Sequence, residues 1–484
     1  MKQSIAKNYI FNLVFQLLTV ITPLITTPYI ARVLGPENNG IYGYTFSIIT
    51  YFVLFGSLGV AMYGQREIAY VQENKDKQEH IFWELVLIRL VTNGISLIIY
   101  YFVFCNHGNY STYYKILIFE LFANAIDISW YFMGIEEFGK PVVRNVIVKI
   151  LGLISIFVFV KTRNDLWKYL LIYSLSDFLG NISLWLYVPK YISVKPLNSL
   201  RFQKHLRPII SLFIPQIATQ VYTVLDKTMV GNMMGDMSEV GYYDNAQKIV
   251  KALLCIVTAM SSVMSSRIAN TYSTGDKESM KVYLRQSIHL AWMVAVPFVL
   301  GIVAISKVFV PWYFGEGYES VTVLMCATTP ILLAIGLSNI TGIQYLIQVG
   351  QQKIYTFSVV SGAICNLVCN CILINLLGTI GAVLSTVISE YLILFIQLLF
   401  VKNEFQVSEF FKPSSKYLLS GLMMFICVLF SLKLWSNSTI AILFSIIIGI
   451  VVYISGLFIL KDTFFLKIIH QIFGVIHQKL KVKH

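Results

Sequence analysis

Residues 438–460 read STIAILFSIIIGIVVYISGLFIL, a run of 23 residues without a charged side chain. A helix rises about 1.5 Å per residue, so such a run crosses the roughly 30 Å apolar core of a bilayer. Comparable runs recur from residue 8 to residue 460, and the polar gaps between them are short. The stretch therefore predicts a transmembrane helix, and its recurrence predicts an all-α polytopic membrane protein.

Fourteen such runs are predicted as membrane spans. Hydrophobic residues make up 57% of the chain and charged residues 13%, about half the charged share of a soluble domain. This composition excludes a soluble enzyme, and we expect the net charge of +13 to follow membrane topology rather than to bind nucleic acid. The predicted spans are 8–33, 41–63, 81–104, 112–134, 141–160, 166–188, 207–232, 241–268, 285–308, 321–348, 353–376, 379–401, 414–435 and 438–460.

Lysine and arginine are distributed unevenly between alternate loops. With a cytoplasmic N-terminus, 26 of the 37 Lys and Arg residues fall in inner segments and 7 in outer segments. Cytoplasmic loops carry the excess of positive charge, so both termini are predicted to be cytoplasmic. Beyond the last span, polar residues from Thr463 to Lys481 recur near a 3.6-residue period. This pattern predicts a basic amphipathic helix lying on the inner leaflet.

The first and seventh spans run into similar sequences, ARVLGPENNGIYGY (31–44) and GNMMGDMSEVGYYDNAQ (231–247). In these sequences Gly40 aligns with Gly241. Six spans followed by six in the same orientation predict two lobes with a site between them, as in alternating-access transporters. The predicted parts are an N-lobe (1–188), a cytoplasmic linker (189–206), a C-lobe (207–401), two further spans (402–460) and a basic tail (461–484).

Two predicted spans carry several polar side chains on one helical face. A charge at the bilayer centre costs about 3 kcal/mol on insertion scales, so it needs a partner or a wet cavity. One-sided polar faces on several spans predict a shared hydrated cavity. The alternative is pairwise neutralisation, for example Asp244 with Lys248 or Asp226 with Lys227. The two faces consist of Asp244, Lys248 and Lys251 on span 8, and Glu120, Asn124, Asp127 and Tyr131 on span 4.

Lys248 and Lys251 are the first candidates to bind an anionic head group in this cavity. The positions aligned with them in the first lobe, Ser47 and Thr50, are uncharged. Helix packing in the first lobe therefore did not need a cation at these positions. We expect the cationic character of the cavity to lie in the second lobe.

The carboxylates inside the spans are candidates for other roles. Glu120 and Asp127 are candidate carriers of a coupling ion, H⁺ or Na⁺, because a buried carboxylate can titrate in the useful range. Asp177 and Glu390 are expected to hold the lobes together or to cap polar backbone, with a coupling role as the alternative. The other candidates for the polar cavity wall are Asn124, Tyr131, Asp244, Gln344 and Asn366.

Five motifs carry a resemblance to a known family. With them, the chain resembles Wzx-type polysaccharide flippases of the MOP (multidrug/oligosaccharidyl-lipid/polysaccharide) exporter superfamily, over spans 1 to 12 and in outline over all fourteen. The motifs are TTPYIARVLGPENNGIYGY (26–44), AIDISWYFMGIEEFG (125–139), IPQIATQVYTVLDKTMVGNMMGDMSEVGYYDNAQKIV (214–250), WYFGEGYESVTVLM (312–325) and GTIGAVLSTVISE (378–390).

The resemblance implies a V-shaped, two-lobed fold with two extra C-terminal helices. It implies that an undecaprenyl-pyrophosphate-linked oligosaccharide moves from the inner to the outer leaflet of the cytoplasmic membrane, for capsule, O-antigen or teichoic-type polymers. Arg32, Lys227, Lys248 and Lys251 would bind the diphosphate, and the two extra spans would offer a groove for the polyprenyl tail. The expected partners are membrane lipids, a polysaccharide polymerase and glycosyltransferases; we expect a monomer without metal or organic cofactor.

Three other functions stay open on the sequence alone. A peptidoglycan lipid-intermediate flippase would differ only in its cargo. A multidrug or cation antiporter of the same superfamily normally has twelve spans and an acidic cavity, which the extra spans and the cations disfavour. A polytopic glycosyltransferase or polymerase needs large outer loops, whereas the predicted outer loops are short and carry no phosphate loop, zinc motif or nucleophile triad. We therefore predict a transporter with no catalytic residues.

Overall fold

The structure, a computed structural model, describes residues 5–106, 108–137, 139–193, 201–259, 261–402 and 406–470. Every regular element in these ranges is a helix, as the sequence predicts. The chain divides into two compact units, residues 1–244 and 245–484. The two units are described separately.

The first unit contains eight α-helices and the start of a ninth. A π-helical segment, Tyr101–Cys105, continues the third helix, and single 3₁₀ turns flank the seventh. The α-helices are α1 Ile5–Ser57, α2 Val60–Tyr70, α3 Lys75–Tyr100, α4 Ser111–Ala125, α5 Ser129–Gly134, α6 Gly139–Phe159, α7 Leu166–Trp185, α8 Gln203–Met234 and α9 Met237–Thr258.

The second unit contains the rest of α9 and nine further α-helices. A π-helical segment, Ile340–Leu346, follows the thirteenth helix. The α-helices are α10 Ser261–Ser273, α11 Lys277–Phe314, α12 Glu319–Thr328, α13 Ile331–Asn339, α14 Gln352–Leu377, α15 Thr379–Val401, α16 Val407–Phe411, α17 Ser414–Leu432 and α18 Ser438–Ile459.

The first two predicted spans have no loop between them. Helix α1 runs from the first span into the second and is kinked at Gly35, whose φ of 77° is in the region that favours glycine. It ends at Ser57, and the rest of the second span lies in α2. Pro36 restarts the helix at once, because proline fits the first turn, where its missing N–H has no partner to lose. Asn38 and Asn39 donate to the carbonyls of Leu34 and Gly35 at 3.0 and 2.8 Å, which satisfies groups that the break leaves free. The polar gap expected at 34–40 is therefore a capped kink.

Glycines let α1 and α9 cross backbone to backbone. A Cβ on Gly40 would collide with the carbonyl oxygen of Met237, and a Cβ on Gly241 would collide with that of Pro36. Helices in lipid associate through close packing rather than through apolar burial, so small residues at a crossing are decisive. The two glycines that the sequence aligns as repeat equivalents thus face each other.

A buried carboxylate fastens the start of α8 to α3. Glu84 accepts hydrogen bonds from the Arg201 backbone N–H (2.7 Å) and His205 Nε2 (2.7 Å), and forms an ion pair with Lys204 (2.8 Å). The other ring nitrogen of His205 lies 2.8 Å from the hydroxyl of Tyr63 on α2. The side chains of Glu84 and His205 are 1% and 2% exposed. The end of the predicted linker is therefore fixed to the first unit.

Two prolines shape the second unit. Helix α12 ends before Pro330, and α13 starts directly after it. In α11, Pro297 lacks the N–H that would bond to the Met293 carbonyl. The hydroxyl of Tyr453 on α18 donates to that carbonyl instead, at 2.9 Å. This bond holds α18 against the middle of α11.

Eleven helices in the described ranges are long and apolar enough to cross a membrane. One of them, Ile21–Tyr70, covers most of the first two predicted spans, and ten match predicted spans 3–6 and 9–14. Spans 7 and 8 correspond to α8 and to α9 with α10, which are not among the eleven. The fourteen-span count and the orientation of the termini stay predictions. The predicted tail helix is helical over 463–470, and its remainder lies outside the described residues.

Candidate functional site

A buried polar cluster joins α3 and α4 in the first unit. Nη2 of Arg89 donates to Oδ1 of Asn124 at 2.7 Å and to Oδ2 of Asp127 at 3.2 Å. Asn124 in turn donates to Oδ1 of Asn93 at 2.7 Å. The Arg89 side chain is 4% exposed, and its Nε and Nη1 have no hydrogen-bond partner among the described residues. Asn124 and Asp127, both predicted for the cavity wall, are thus engaged with a buried cation.

The same cluster closes the end of α1. The last carbonyls of a helix lack intrahelical partners. Here Asn124 donates to the Val53 carbonyl at 3.0 Å, and Asn93 and Thr92 donate to the Gly56 carbonyl at 3.0 and 2.5 Å. The polar residues of this cluster therefore have a structural role, because they satisfy the last carbonyls of α1.

A second charged group of the first unit contains Glu120 on α4, which interacts electrostatically with Asp177 on α7. Oε1 of Glu120 is buried and has no hydrogen-bond partner among the described residues. Asp177 on α7 is exposed and interacts electrostatically with Arg144 and Lys149 on α6. Arg144 also donates to Asn181, one turn beyond Asp177. Of the two predicted ion carriers, Glu120 rather than Asp127 keeps an unsatisfied oxygen.

An ion pair links α8 to α9. Nζ of Lys227 binds Oδ1 of Asp244, and the hydroxyl of Tyr243 donates to Oδ2 of Asp226. The pairing across two helices differs from the pairs that the sequence suggested as the alternative to a cavity. Lys227, a predicted diphosphate contact, therefore has a carboxylate partner. Its side chain is 25% exposed.

The three other predicted phosphate contacts are exposed or half-buried. Lys251 on α9 is exposed and Lys248 is half-buried, and Arg32 on α1 is exposed. Spacings of four and seven residues place Lys248 and Lys251 on the same face of α9 as Asp244.

The neutral candidates are buried inside their units. Gln344 lies in the π-helical segment and donates to Oγ of Ser261 at 3.2 Å. Asn366 accepts from Asn370 within α14. Tyr131 is 1% exposed and donates to Gln78. Glu390 on α15 is buried as well.

An apolar groove of about 490 Å³ runs between α11, α17 and α18 of the second unit. Its two polar side chains turn their hydroxyls to the protein, because Tyr453 donates to the Met293 carbonyl and Ser445 bonds to Ser431 at 2.6 Å. The groove therefore offers hydrocarbon and no free hydrogen-bonding group among these residues. Leu253, two residues after Lys251 on α9, also lines it.

Sequence reasoning missed most of the partners in these networks. Arg89 and Asn93 lie four residues apart on α3, as do Asp177 and Asn181 on α7. This spacing is a signal for a shared helical face. Nothing in the sequence places α3 against α4, so Arg89 could not be assigned to Asp127.

These features define a class: a polytopic helical membrane protein with paired charges inside its helix bundles and an apolar groove. Solved structures have the same fold. A lipid II flippase, MurJ, in an inward-closed conformation matches with a TM-score of 0.76 and 17% identity, covering 94% of this chain and 100% of the flippase. An inward-facing multidrug resistance MATE family transporter of the MOP superfamily matches with a TM-score of 0.62 and 14% identity, covering 82% and 96%.

The chain belongs to the polysaccharide biosynthesis protein family, which matches residues 5–266. The MatE family matches residues 212–372. Two relatives carry the name "Putative O-antigen transporter". The one from Escherichia coli (strain K12) is 25% identical over 83% of this chain and 98% of its own length, and the one from Shigella dysenteriae is 24% identical over 78% and 96%.

Proposed function

We propose that this protein moves a lipid-linked oligosaccharide across the membrane, as a transporter and not as an enzyme. The family and the two relatives named for O-antigen transport support a saccharide cargo. The single observation that carries the lipid-linked form is the apolar groove on α11, α17 and α18. A chain of hydrocarbon in that groove would keep the anchor out of water while the head group crosses.

The proposed cargo is an undecaprenyl-pyrophosphate-linked repeat unit of a surface polymer. A diphosphate carries about two negative charges and favours charge-assisted hydrogen bonds. Lys248 and Lys251 are the proposed contacts, with Arg32 and Lys227 as further ones. Since Lys227 already binds Asp244, it would bind phosphate by exchanging one anion for another.

The proposed cycle follows alternating access between two lobes. With both termini cytoplasmic in the cytoplasmic membrane, the head group enters from the inner leaflet and leaves at the outer one. A membrane potential that is positive outside favours outward movement of an anion by about 2.3 kcal/mol per charge per 100 mV. A coupling H⁺ or Na⁺ would bind at Glu120, because Asp127 is already matched by Arg89.

The experiment is surface-polymer production in cells whose own copy is deleted. We expect Lys248→Ala/Lys251→Ala, at an unchanged protein level, to accumulate lipid-linked intermediate and to lose polymer. Lys433→Ala, a lysine just after α17, is the matched control and should export normally. Normal export by the double variant would refute the cation-binding part of the proposal.

A multidrug antiporter is the second candidate, favoured by the MatE match over residues 212–372. It would extrude cationic dyes and leave surface polymer unchanged on deletion. Dye efflux without a polymer phenotype would replace the first proposal by this one. A peptidoglycan lipid-intermediate flippase is a further alternative, since the solved MurJ structure is named a lipid II flippase, and deletion would instead arrest wall synthesis.

A further inference from the structure

A polar cavity of about 620 Å³ lies beside the start of α11 and α17 in the second unit. It contains two lysines, an arginine and a histidine but only two carboxylates. None of these residues belongs to the site proposed above. Its charged and titratable lining residues are Arg285, His289, Glu409, Lys412, Lys416 and Asp462.

The cavity has an excess of positive charge. Arg285 binds Glu409 in a bidentate pair at 2.7 and 3.1 Å, so these two charges cancel. Asp462 accepts from the Tyr417 hydroxyl at 3.3 Å and from a backbone N–H of the tail helix at 2.8 Å. With Arg285 and Glu409 cancelled and His289 neutral, two lysines face one carboxylate, Asp462. The cavity therefore has one positive charge in excess, which comes from Lys412 and Lys416.

The cavity and the apolar groove are consecutive along the same helices. His289 lines the cavity, and Met293, one helical turn later on α11, lines the groove. Thr463 lines the cavity, and Phe465, at the start of the tail helix, lines the groove. One molecule with an anionic head and a long hydrocarbon chain could therefore occupy both.

We propose that this cavity binds the diphosphate of a polyprenyl diphosphate lipid whose chain lies in the groove. It would be a first docking site at the inner leaflet, before the head group reaches the lysines of α9. The inference rests on the proposed function for the identity of the lipid. Lys412 and Lys416 would donate charge-assisted hydrogen bonds to phosphate oxygens, and the groove would hold the first part of the chain.

The test measures binding to the purified full-length protein by native mass spectrometry. The probes are a polyprenyl diphosphate, a polyprenol of equal chain length, phosphatidylglycerol and inorganic diphosphate. All variants carry Lys248→Ala/Lys251→Ala, so that binding at α9 does not mask the new site. We expect Lys412→Gln/Lys416→Gln to weaken polyprenyl diphosphate binding about tenfold or more, since each charge-assisted bond contributes about that factor.

Two matched variants separate charge from packing. Lys412→Arg/Lys416→Arg should keep the binding, and Lys402→Gln, at the end of α15 outside the cavity, should not change it. Polyprenol binding should be the same in every variant. Unchanged diphosphate-lipid binding in the glutamine variant, or an equal loss of polyprenol binding, would overturn the site.

The other two probes, phosphatidylglycerol and inorganic diphosphate, identify which molecule the cavity binds. If phosphatidylglycerol displaces the polyprenyl diphosphate at equal concentration, the cavity holds bilayer phospholipid and the carrier assignment is wrong. Inorganic diphosphate binding as tightly as the lipid would overturn the role of the groove. Because binding is read without transport, this outcome is independent of the export assay of the Lys248→Ala/Lys251→Ala variant.

Discussion

Removing the carboxylate of Asp127 should destabilise the first unit strongly. Arg89 would keep its bond to Asn124 but lose its countercharge, and its side chain is only 4% exposed. Two unit charges 3.2 Å apart attract by about 5 kcal/mol at an effective dielectric constant of about 20. Breaking a buried pair costs roughly 3 to 5 kcal/mol. The Asp127 side chain is 20% exposed, so water screens part of this, and we expect Asp127→Ala to cost about 3 kcal/mol.

The assay is a double-mutant cycle on the free energy of unfolding in detergent. Arg89→Leu/Asp127→Ala removes both charges, so it should be more stable than Asp127→Ala alone. Replacing both partners of a buried ion pair by apolar groups is often close to neutral. If the double variant is as unstable as the sum of the two single variants, Arg89 and Asp127 do not interact, and the reasoning from their 3.2 Å separation is refuted.

Three further outcomes follow from single contacts. Gly40→Ala places a methyl group on a carbonyl of α9 and should lower the free energy of unfolding in detergent by about 1–3 kcal/mol or prevent folding. Gly94→Ala should not, because its added methyl group would meet no described atom of another helix within 4 Å. Ile450→Trp fills the apolar groove and should reduce export severalfold, while Ile447→Trp, equally exposed at 55% and outside the groove, should export normally. Glu84→Ala leaves the buried His205 without its acceptor and should lower the free energy of unfolding by about 3 kcal/mol. The measurement is limited proteolysis, and cleavage before α8 should be faster in the variant.

The all-helical fold follows from the sequence because the length and apolarity of a membrane helix are local properties. Pro36 and Asn38 were visible beside Gly35, yet their effect, a capped kink instead of a loop, depends on backbone geometry. Spacing predicted one helical face for Asn124, Asp127 and Tyr131, but α4 ends at Ala125, so the face does not extend to the last two. Asn124 and Asp127 instead both accept from Arg89. Arg89 was not predictable as their partner, since the neighbour of a helix is set by tertiary packing.

Charge compensation explains why the candidate site is hard to read from a sequence. An empty transporter needs an anion beside each cation that its helices remove from water. Lys227 on α8 therefore binds Asp244 on α9, although the two residues are not adjacent in the chain. In our proposal, the transporter with bound cargo needs the same lysine, Lys227, to bind the diphosphate. Asp244 lies on the face of α9 that also bears Lys248 and Lys251. Arrival of the anion would therefore shift Lys227 from carboxylate to phosphate, and the ion pair would re-form once the head group has left.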